Sequence, residues 1–523
     1  MDKALIKTDI LIIGLGIAGA TVAYKLAEKG LNVVVLLKGT LDDDGNTHYA
    51  QGGIVYKGDS DSPELLYRDI IEAGGGVNNP EAVKVISYEG HKILKEFLID
   101  KIGVEFVRDE KGNLEFTEEG AHSVRRIIFS GDKTGKAIIS KLIDSLKRFN
   151  NITVLENHIA IDLITWQYHS KDPLRMYKDR TCLGAYVYDE RSGVVKNIMA
   201  KATILATGGM GKVYLHNTNP EIATGDGYAM AYRAGAELIN MEYTQFHPTT
   251  LYHPLKKNFL LSESLRGEGA TIINNKGERF LFKIDSRGEL APRDIVTRGI
   301  ISELTATGQE CVFLDASKIG SRDKLKSRFP TIYQTLESIG IDMSTDLIPI
   351  VPAFHFQCGG VKTDVYAKTN IKRLFAVGEV ACNGLHGANR LASTSLLEGV
   401  VFGHYLSEFI SKNIEKDMFN EFPDIEPWVD TGSEEVDPVL MKQDWDTLRA
   451  TMWNYVGPIR TRKRLKRSLI DIKNLQLEIE DFYKEARISR DIIELRNAIQ
   501  TGYIVALSAW TNKQSIGAHY RVD

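Results

Sequence analysis

Gly14-x-Gly16-x-x-Gly19 stands between an apolar run, Asp9–Ile13, and a stretch with helical spacing, Thr21–Lys29. No other feature constrains the fold as tightly. The first glycine permits a sharp turn and the second lets backbone approach a pyrophosphate. The third lets helix and strand pack closely, and the helix N-terminus supplies partial positive charge. Gly30 ends the helix and Val33–Leu37 reads as a second buried strand, completing a βαβ unit. A lone GxGxxG is weak; between a strand and a helix it favours nucleotide binding over a plain packing turn. A standard NAD site carries an acid at the end of the second strand, where this chain has Leu36-Leu37-Lys38. A lysine cannot accept bonds from ribose hydroxyls, although it can neutralise phosphate. The nucleotide is therefore expected not to be NAD bound in the standard way, which also disfavours a plain NAD-binding structural subunit.

Two further apolar strands end in glycine: Ala202–Ala206 before Thr207-Gly208-Gly209, and Leu374–Val377 before Gly378-Glu379. Junctions this far apart point to one nucleotide-binding sheet interrupted by inserted material. Residues 237–350 have mixed helix and strand texture and read as the insertion. Asp424–Pro438, rich in acids and prolines, reads as a linker. Lys442–Trp510 has helical periodicity and reads as a bundle. The expected domains are 1–236 with 351–422, 237–350, and 439–523. Glu379, at a strand end, is placed to accept sugar hydroxyls. Ser393-Thr394-Ser395 reads as a set of hydroxyl caps on a helix N-terminus.

At 523 residues the chain exceeds one hydrophobic core. Its net charge of −4 gives no support to nucleic-acid or anionic-membrane binding. The basic run Arg460–Arg467 lacks interleaved aromatics and reads as a solvated helix face. Cys182, Cys311, Cys358 and Cys382 form no CxxC pair, which argues against a disulfide framework or a cysteine-held metal. Met1-Asp2-Lys3 leads into a strand with no signal-peptide pattern, and no apolar run is long enough to span a bilayer. A cytoplasmic protein with no metal and no membrane or nucleic-acid partner is expected.

Seven blocks follow one another along the chain: Tyr49-Ala50-Gln51-Gly52-Gly53, Ala206-Thr207-Gly208-Gly209, Thr224-Gly225-Asp226-Gly227, Gln245-Phe246-His247-Pro248-Thr249, Arg266-Gly267-Glu268-Gly269, Ala291-Pro292-Arg293-Asp294 and His386-Gly387-Ala388-Asn389-Arg390. In order and content they resemble the succinate dehydrogenase / fumarate reductase flavoprotein family. The resemblance implies an α/β fold: a Rossmann-like FAD-binding domain, an inserted α+β capping domain and a C-terminal helical domain. Glu119-Gly120-Ala121-His122-Ser123 followed by Arg125-Arg126 is similar to the family's aspartate-oxidising members; relatives acting on succinate or fumarate lack that glutamate. Membrane-complex relatives usually carry a flavin-linking histidine five residues before Gln51, where this chain has Asn46, with His48 nearer. Non-covalent FAD is thereby implied. Phe129 stands where a histidine is expected, and Ile516 where an arginine is.

The implied reaction is FAD-dependent oxidation of L-aspartate to iminoaspartate, with dioxygen or fumarate as electron acceptor. It would open de novo NAD biosynthesis, and direct hand-over of the imine to quinolinate synthase stays open. The alternatives are a fumarate reductase / succinate dehydrogenase flavoprotein subunit, or a flavin-binding protein without catalysis. The implied cofactor cradle comprises Gly14, Gly16, Ile17, Ala18 and Gly19; Lys38; Asn46, Thr47, His48, Tyr49, Ala50, Gln51, Gly52 and Gly53; Ile159 and Ala160; Asp226; Glu379; and Ser395 and Leu396. A helix N-terminus at Ser395 would favour the negative charge of reduced flavin. Arg390 suits a bidentate grip on one carboxylate of a dicarboxylic substrate. His247 and His355 are donors to carboxylate oxygens. Ser262 and Glu263 match positions lining the substrate, Arg293 matches the proton-transfer position, and Glu119 would pair with the substrate ammonium.

Overall fold

Ile10, Leu11, Ile12 and Ile13 are all buried, so this strand is covered on both faces, as a continuous apolar run in a parallel sheet requires. The computed structural model describes residues 5–41, 45–414, 422–430 and 432–523. Met1-Asp2-Lys3 and the 415–421 part of the expected first domain lie outside the described residues, as does Thr431 within the expected linker.

The strand spans Leu5–Ile13 and lies between Val33–Leu37 and Val194–Leu205, parallel to both. Ile152–Glu156 extends the sheet beyond Val33–Leu37, and Leu374–Ala376 runs parallel to the end of Val194–Leu205. Cys182–Asp189 and His158–Thr165 continue it as an antiparallel pair. The glycine-turn helix is Ile17–Glu28, starting four residues before the helical spacing became readable, because its first turn is spent on the glycine motif. It packs on the helix Ser395–Asn413, where Gly399 faces Ile17 and Ala18 and Gly403 faces Thr21. The missing side chains on one helix allow that close approach.

A second sheet, antiparallel in the order Thr244–Leu251, Ile348–Gln357, Val312–Asp315, Thr271–Ile273, forms the inserted lobe with the helices Arg293–Thr307, Arg322–Arg328 and Pro330–Glu337. Its apolar side chains, from Leu251 to Ile350, make a core separate from those of the nucleotide-binding lobe. Its two long strands continue back toward the first lobe, ending near Thr244 and Gln357.

Three helices follow: Pro438–Val456, Arg462–Glu485 and Arg490–Thr511. They share one apolar core with the far face of the first sheet, which is why the last helix buries residues all round. The expected linker is packed rather than free: Ile425 bridges to Ser170 and Glu434 to Ala486. The solvated-face reading of Arg460–Arg467 fails at its first member. Arg460 precedes the helix, is fully buried, and donates to the Glu242 carbonyl (2.7 Å) and Thr244 Oγ1 (2.6 Å). The four cysteines are unpaired. Among the described residues no helix is long and apolar enough to cross a membrane.

Candidate active site

Gly14 adopts φ 102°, and a methyl group there would overlap the Ala206 carbonyl oxygen. Both facts demand glycine. A side chain at Gly19 would overlap the Gly14 carbonyl, so Gly19 closes the turn from behind. The helix after the turn has no side-chain cap, and its Ile17 N–H donates to Thr47 Oγ1 at 3.1 Å. A cleft of about 670 Å³ opens here. Every candidate residue named above lines it except Gly19.

FAD fits this cleft on three observations. With the Ile17 N–H taken by Thr47, the next backbone N–H groups of the helix start remain to meet a pyrophosphate. A side chain at Gly16 would crowd Thr47 Oγ1, so the glycine keeps the approach open. Buried polar atoms on the cleft wall lack partners, namely Gln51 Oε1, Thr207 Oγ1 and Arg390 Nε. Glu379 follows the strand Leu374–Ala376 and accepts from Asn46 Nδ2 (3.1 Å) and the Gln357 amide (3.0 Å). It faces the cleft but is crowded by protein, and this burial pushes its carboxyl up to about 7.

At the other end of the cleft, charges converge from both lobes. Arg293 opens the helix Arg293–Thr307 and donates to Glu263 Oε2 at 2.5 Å and Gln245 Oε1 at 3.1 Å. Arg266 lies behind Glu263 at 3.4 Å and donates to the Glu289 carbonyl. Burial works to raise the Glu263 carboxyl, but Arg293 and Arg266 outweigh it and hold it below the usual range. Glu119 is held up instead, by burial first and by the neighbouring Glu263 charge second. Its Oε2 accepts from Ser393 Oγ at 2.6 Å. Ser262 Oγ lies 3.1 Å from Ser264 Oγ. Arg390 donates to Ser395 Oγ at 3.2 Å and rests on the Phe356 ring, 4.6 Å from its centroid. Burial, then Arg293, lowers its guanidinium to about 10.

His247 and His355 face each other with ring centroids 5.1 Å apart. The Thr249 amide donates to His247 Nδ1 (3.2 Å), which leaves the proton on Nε2, and His355 Nδ1 meets Thr218 Oγ1 at 2.8 Å. Burial keeps both well below the ordinary histidine range, reinforced by Arg293 at His247 and by Arg390 at His355. Both are neutral; His247 presents Nε2–H as a donor, and His355 does so when the Thr218 hydroxyl donates to its Nδ1.

Glycines make room for the acids. A side chain at Gly52 would overlap Glu119 Oε1, one at Gly120 would overlap Glu263 Oε1, and one at Gly209 would overlap Glu379 Oε1.

Two expectations need correction. The hydroxyls of Ser393-Thr394-Ser395 do not cap the helix Ser395–Asn413, which has no side-chain cap. Ser393 serves Glu119, Thr394 Oγ1 donates to the Leu391 carbonyl, and Ser395 accepts from Arg390. Lys38 is not a spare cation for phosphate. Its ammonium is held by Thr224 Oγ1 (2.6 Å), Asp226 Oδ2 (2.8 Å) and Glu494 Oε1 (3.1 Å), and three partners use its three donors. Sequence reasoning missed Gln245, Arg266, Ser393 and Phe356. The first two sit inside quoted motifs, and Ser393 was read only as a helix cap. Ser393 takes φ 57°, a backbone state no sequence signal marks.

Residues 9–396 match the FAD binding domain family and residues 445–523 the fumarate reductase flavoprotein C-terminal family. The L-aspartate oxidase of Acinetobacter baylyi is 44% identical over 517 residues, covering 98% of this chain and 93% of that one. The L-aspartate oxidase of Yersinia pestis is 43% identical over 523 residues, covering 99% and 96%. Among solved structures, the E. coli quinol fumarate reductase FrdA superposes with a TM-score of 0.88 at 27% identity, covering 99% of this chain and 92% of that one. With an FAD-binding fold over most of its length and near-full-length identity at this level, the chain is an FAD-dependent flavoprotein that belongs to the L-aspartate oxidase family.

Proposed function

We propose that the protein oxidises L-aspartate to iminoaspartate, passing electrons through non-covalently held FAD to dioxygen or fumarate, as the first step of de novo NAD biosynthesis. One observation carries this reading: Glu119, His247, Glu263, Arg293, His355 and Arg390, from six stretches of chain, line one end of the cleft that begins at the glycine turn. Residues 237–350 are read as the cap over that end, between 1–236 with 351–422 on one side and 439–523 beyond.

FAD supplies a two-electron acceptor for hydride, held by the glycine turn, the 46–53 run, Ile159, Ala160, Asp226, Glu379 and the Ser395 helix start. In the forward reaction a hydride leaves the α-carbon and a proton leaves the nitrogen. Arg390 grips one substrate carboxylate, and the neutral donors His247 and His355 the other, with Ser262 beside them. Their role is to fix the α-hydrogen's direction, since small misplacements cost large factors in rate. The Arg293–Glu263 pair, backed by Arg266, is the route for the proton: Arg293 takes it from the substrate nitrogen as it gives one of its own to the ionised Glu263 carboxylate beside it.

The charges favour an amino dicarboxylate. With both histidines neutral, Arg266, Arg293 and Arg390 oppose Glu119 and Glu263. One positive charge is then in excess, matching the single net negative charge of L-aspartate. When Glu119 takes a proton the excess becomes two, matching the fumarate dianion. Dioxygen would return hydrogen peroxide and fumarate would return succinate. Cytoplasmic placement and hand-over of the imine to quinolinate synthase belong to the same reading. A fumarate reductase subunit is the second reading, disfavoured by the Glu119 carboxylate and by Asn46.

Mixing the holoprotein anaerobically with L-aspartate, succinate or L-glutamate tests the proposal through the flavin absorbance. L-aspartate is expected to bleach it. Bleaching by succinate with none by L-aspartate would overturn the assignment.

A further inference from the structure

The C-terminal stretch Ser515–Arg521 lines no part of the cleft, yet it is bonded to the segments that carry the charged end. The Ala518 amide donates to the Ala388 carbonyl at 2.9 Å, two residues before Arg390. Gly517 takes φ 53°, and a side chain there would sit 2.6 Å from the same carbonyl. Ile516 packs with Tyr243, Phe356, Cys358 and Ala388, and Phe356 is the ring beneath Arg390. On the other side, Arg298 Nη1 donates to the Gly517 carbonyl at 3.1 Å and lies 4.7 Å from the Tyr520 ring. Arg298 also pairs with Asp294 at 2.9 Å, one turn back on the helix that Arg293 opens. His519 Nδ1 meets Arg460 at 2.6 Å, and Arg460 holds Thr244 in the strand of His247.

The need for such a connection follows from the cores. Arg293 belongs to the inserted lobe, whose apolar core is separate, whereas Arg390 belongs to the nucleotide-binding lobe. Between the two arginines the described residues place a single bridging side chain, Gln245, which accepts from Arg293 (3.1 Å) and donates to the Arg390 carbonyl (2.9 Å). The C-terminal stretch thus supplies a second, independent tie. We propose that residues 516–520 form a strap that sets the spacing of Arg293 and Arg390, with Arg298 as the positioning residue that ties the strap to the Arg293 helix. The inference rests on the reading of those two arginines as substrate-facing groups.

The test uses full-length holoenzyme carrying Arg298→Met or Gly517→Ala, which loosen opposite sides of the strap. Each is expected to raise KM for L-aspartate on the order of 10-fold, with a smaller change in kcat. The double variant should be no worse than the worse single, since one strap is released either way. The FAD dissociation constant, read by flavin fluorescence, should stay at the parent value, and Arg298→Lys should recover part of the loss. Unchanged KM in both variants overturns the strap. So does a loss of FAD affinity in step with activity, which would mark a general folding role. If Arg298→Met does not fold, Gly517→Ala decides alone. Arg390→Leu, measured alongside, separates the two layers. If it leaves KM unchanged, the substrate reading itself falls. If it raises KM while the strap variants do not, the strap alone falls.

Discussion

At the nucleotide end of the cleft, Gly14, Gly16 and Ile17 lie within one turn, between a strand and the helix that follows it. At the charged end, neighbours such as Arg293 and Glu263 are thirty residues apart, and Glu119 and Ser393 are separated by 274. The first end is shaped by backbone: a left-handed glycine, a helix start without a cap, and close packing behind. The second is shaped by side chains that burial would penalise singly and that are stable only as a set. A local device survives movement of the two lobes, whereas a convergent one depends on their placement. Substitutions at the charged end should therefore cut turnover and leave flavin in place. Substitutions at the turn should release flavin and leave the chemistry of any retained holoenzyme alone.

The largest effect is expected at Arg293. Arg293→Leu removes the partner of Glu263 and strands a buried carboxylate. Steady-state kcat for L-aspartate should fall on the order of 10³-fold, within the range of a lost proton-transfer group. Flavin content, read from absorbance after gel filtration, should remain that of the parent. A variant that loses flavin together with activity would erase the contrast between the two ends.

Gly14→Ala comes next. The left-handed φ and the overlap with the Ala206 carbonyl both oppose the methyl group. Strain of this kind costs about 1–3 kcal/mol, so FAD affinity should weaken by about 5- to 150-fold in a fluorescence titration. KM for L-aspartate in FAD-saturated enzyme should match the parent. A raised KM there would mean that the turn also shapes the charged end.

The same contrast governs what could be read from the sequence. The turn was legible from residue order alone, because its geometry is set by neighbours in the chain. Val33–Leu37 was legible for the same reason, being apolar throughout. The charged end was found only through resemblance to a family, since nothing in the order of residues says that Glu119 meets Ser393 or that Arg266 backs Glu263. Local pattern fails where a buried partner from elsewhere in the chain intervenes. Three hydroxyls before a helix read as caps, but a buried acid and an arginine claimed two of them. A basic run read as surface, but a carbonyl and a threonine on a neighbouring strand claimed Arg460. The spare cation at Lys38 was consumed by Glu494, from a helix more than four hundred residues away. Long-range partners override local signals wherever the local group is buried.

The smallest effect, and the sharpest discriminator, is expected at Glu119. Burial and the Glu263 charge raise its carboxyl, so it is protonated over a wider range of pH than an exposed glutamate. Below that raised value Glu119 is neutral and gives the substrate ammonium no countercharge. As pH rises through it, Glu119 ionises and L-aspartate gains an ion pair, while the fumarate dianion meets one more negative charge. KM for L-aspartate should thus fall with rising pH and KM for fumarate should rise. Glu119→Gln removes the titration and keeps the shape. It should lower kcat/KM for L-aspartate by about 10-fold or somewhat more, as loss of a charged hydrogen bond does, and flatten its pH dependence. Fumarate reduction by the same variant should be largely spared, because that substrate carries no ammonium. Equal losses in both reactions would mean that Glu119 acts only as the partner of Ser393 and props the loop before Ser395, with no hand in choosing the substrate.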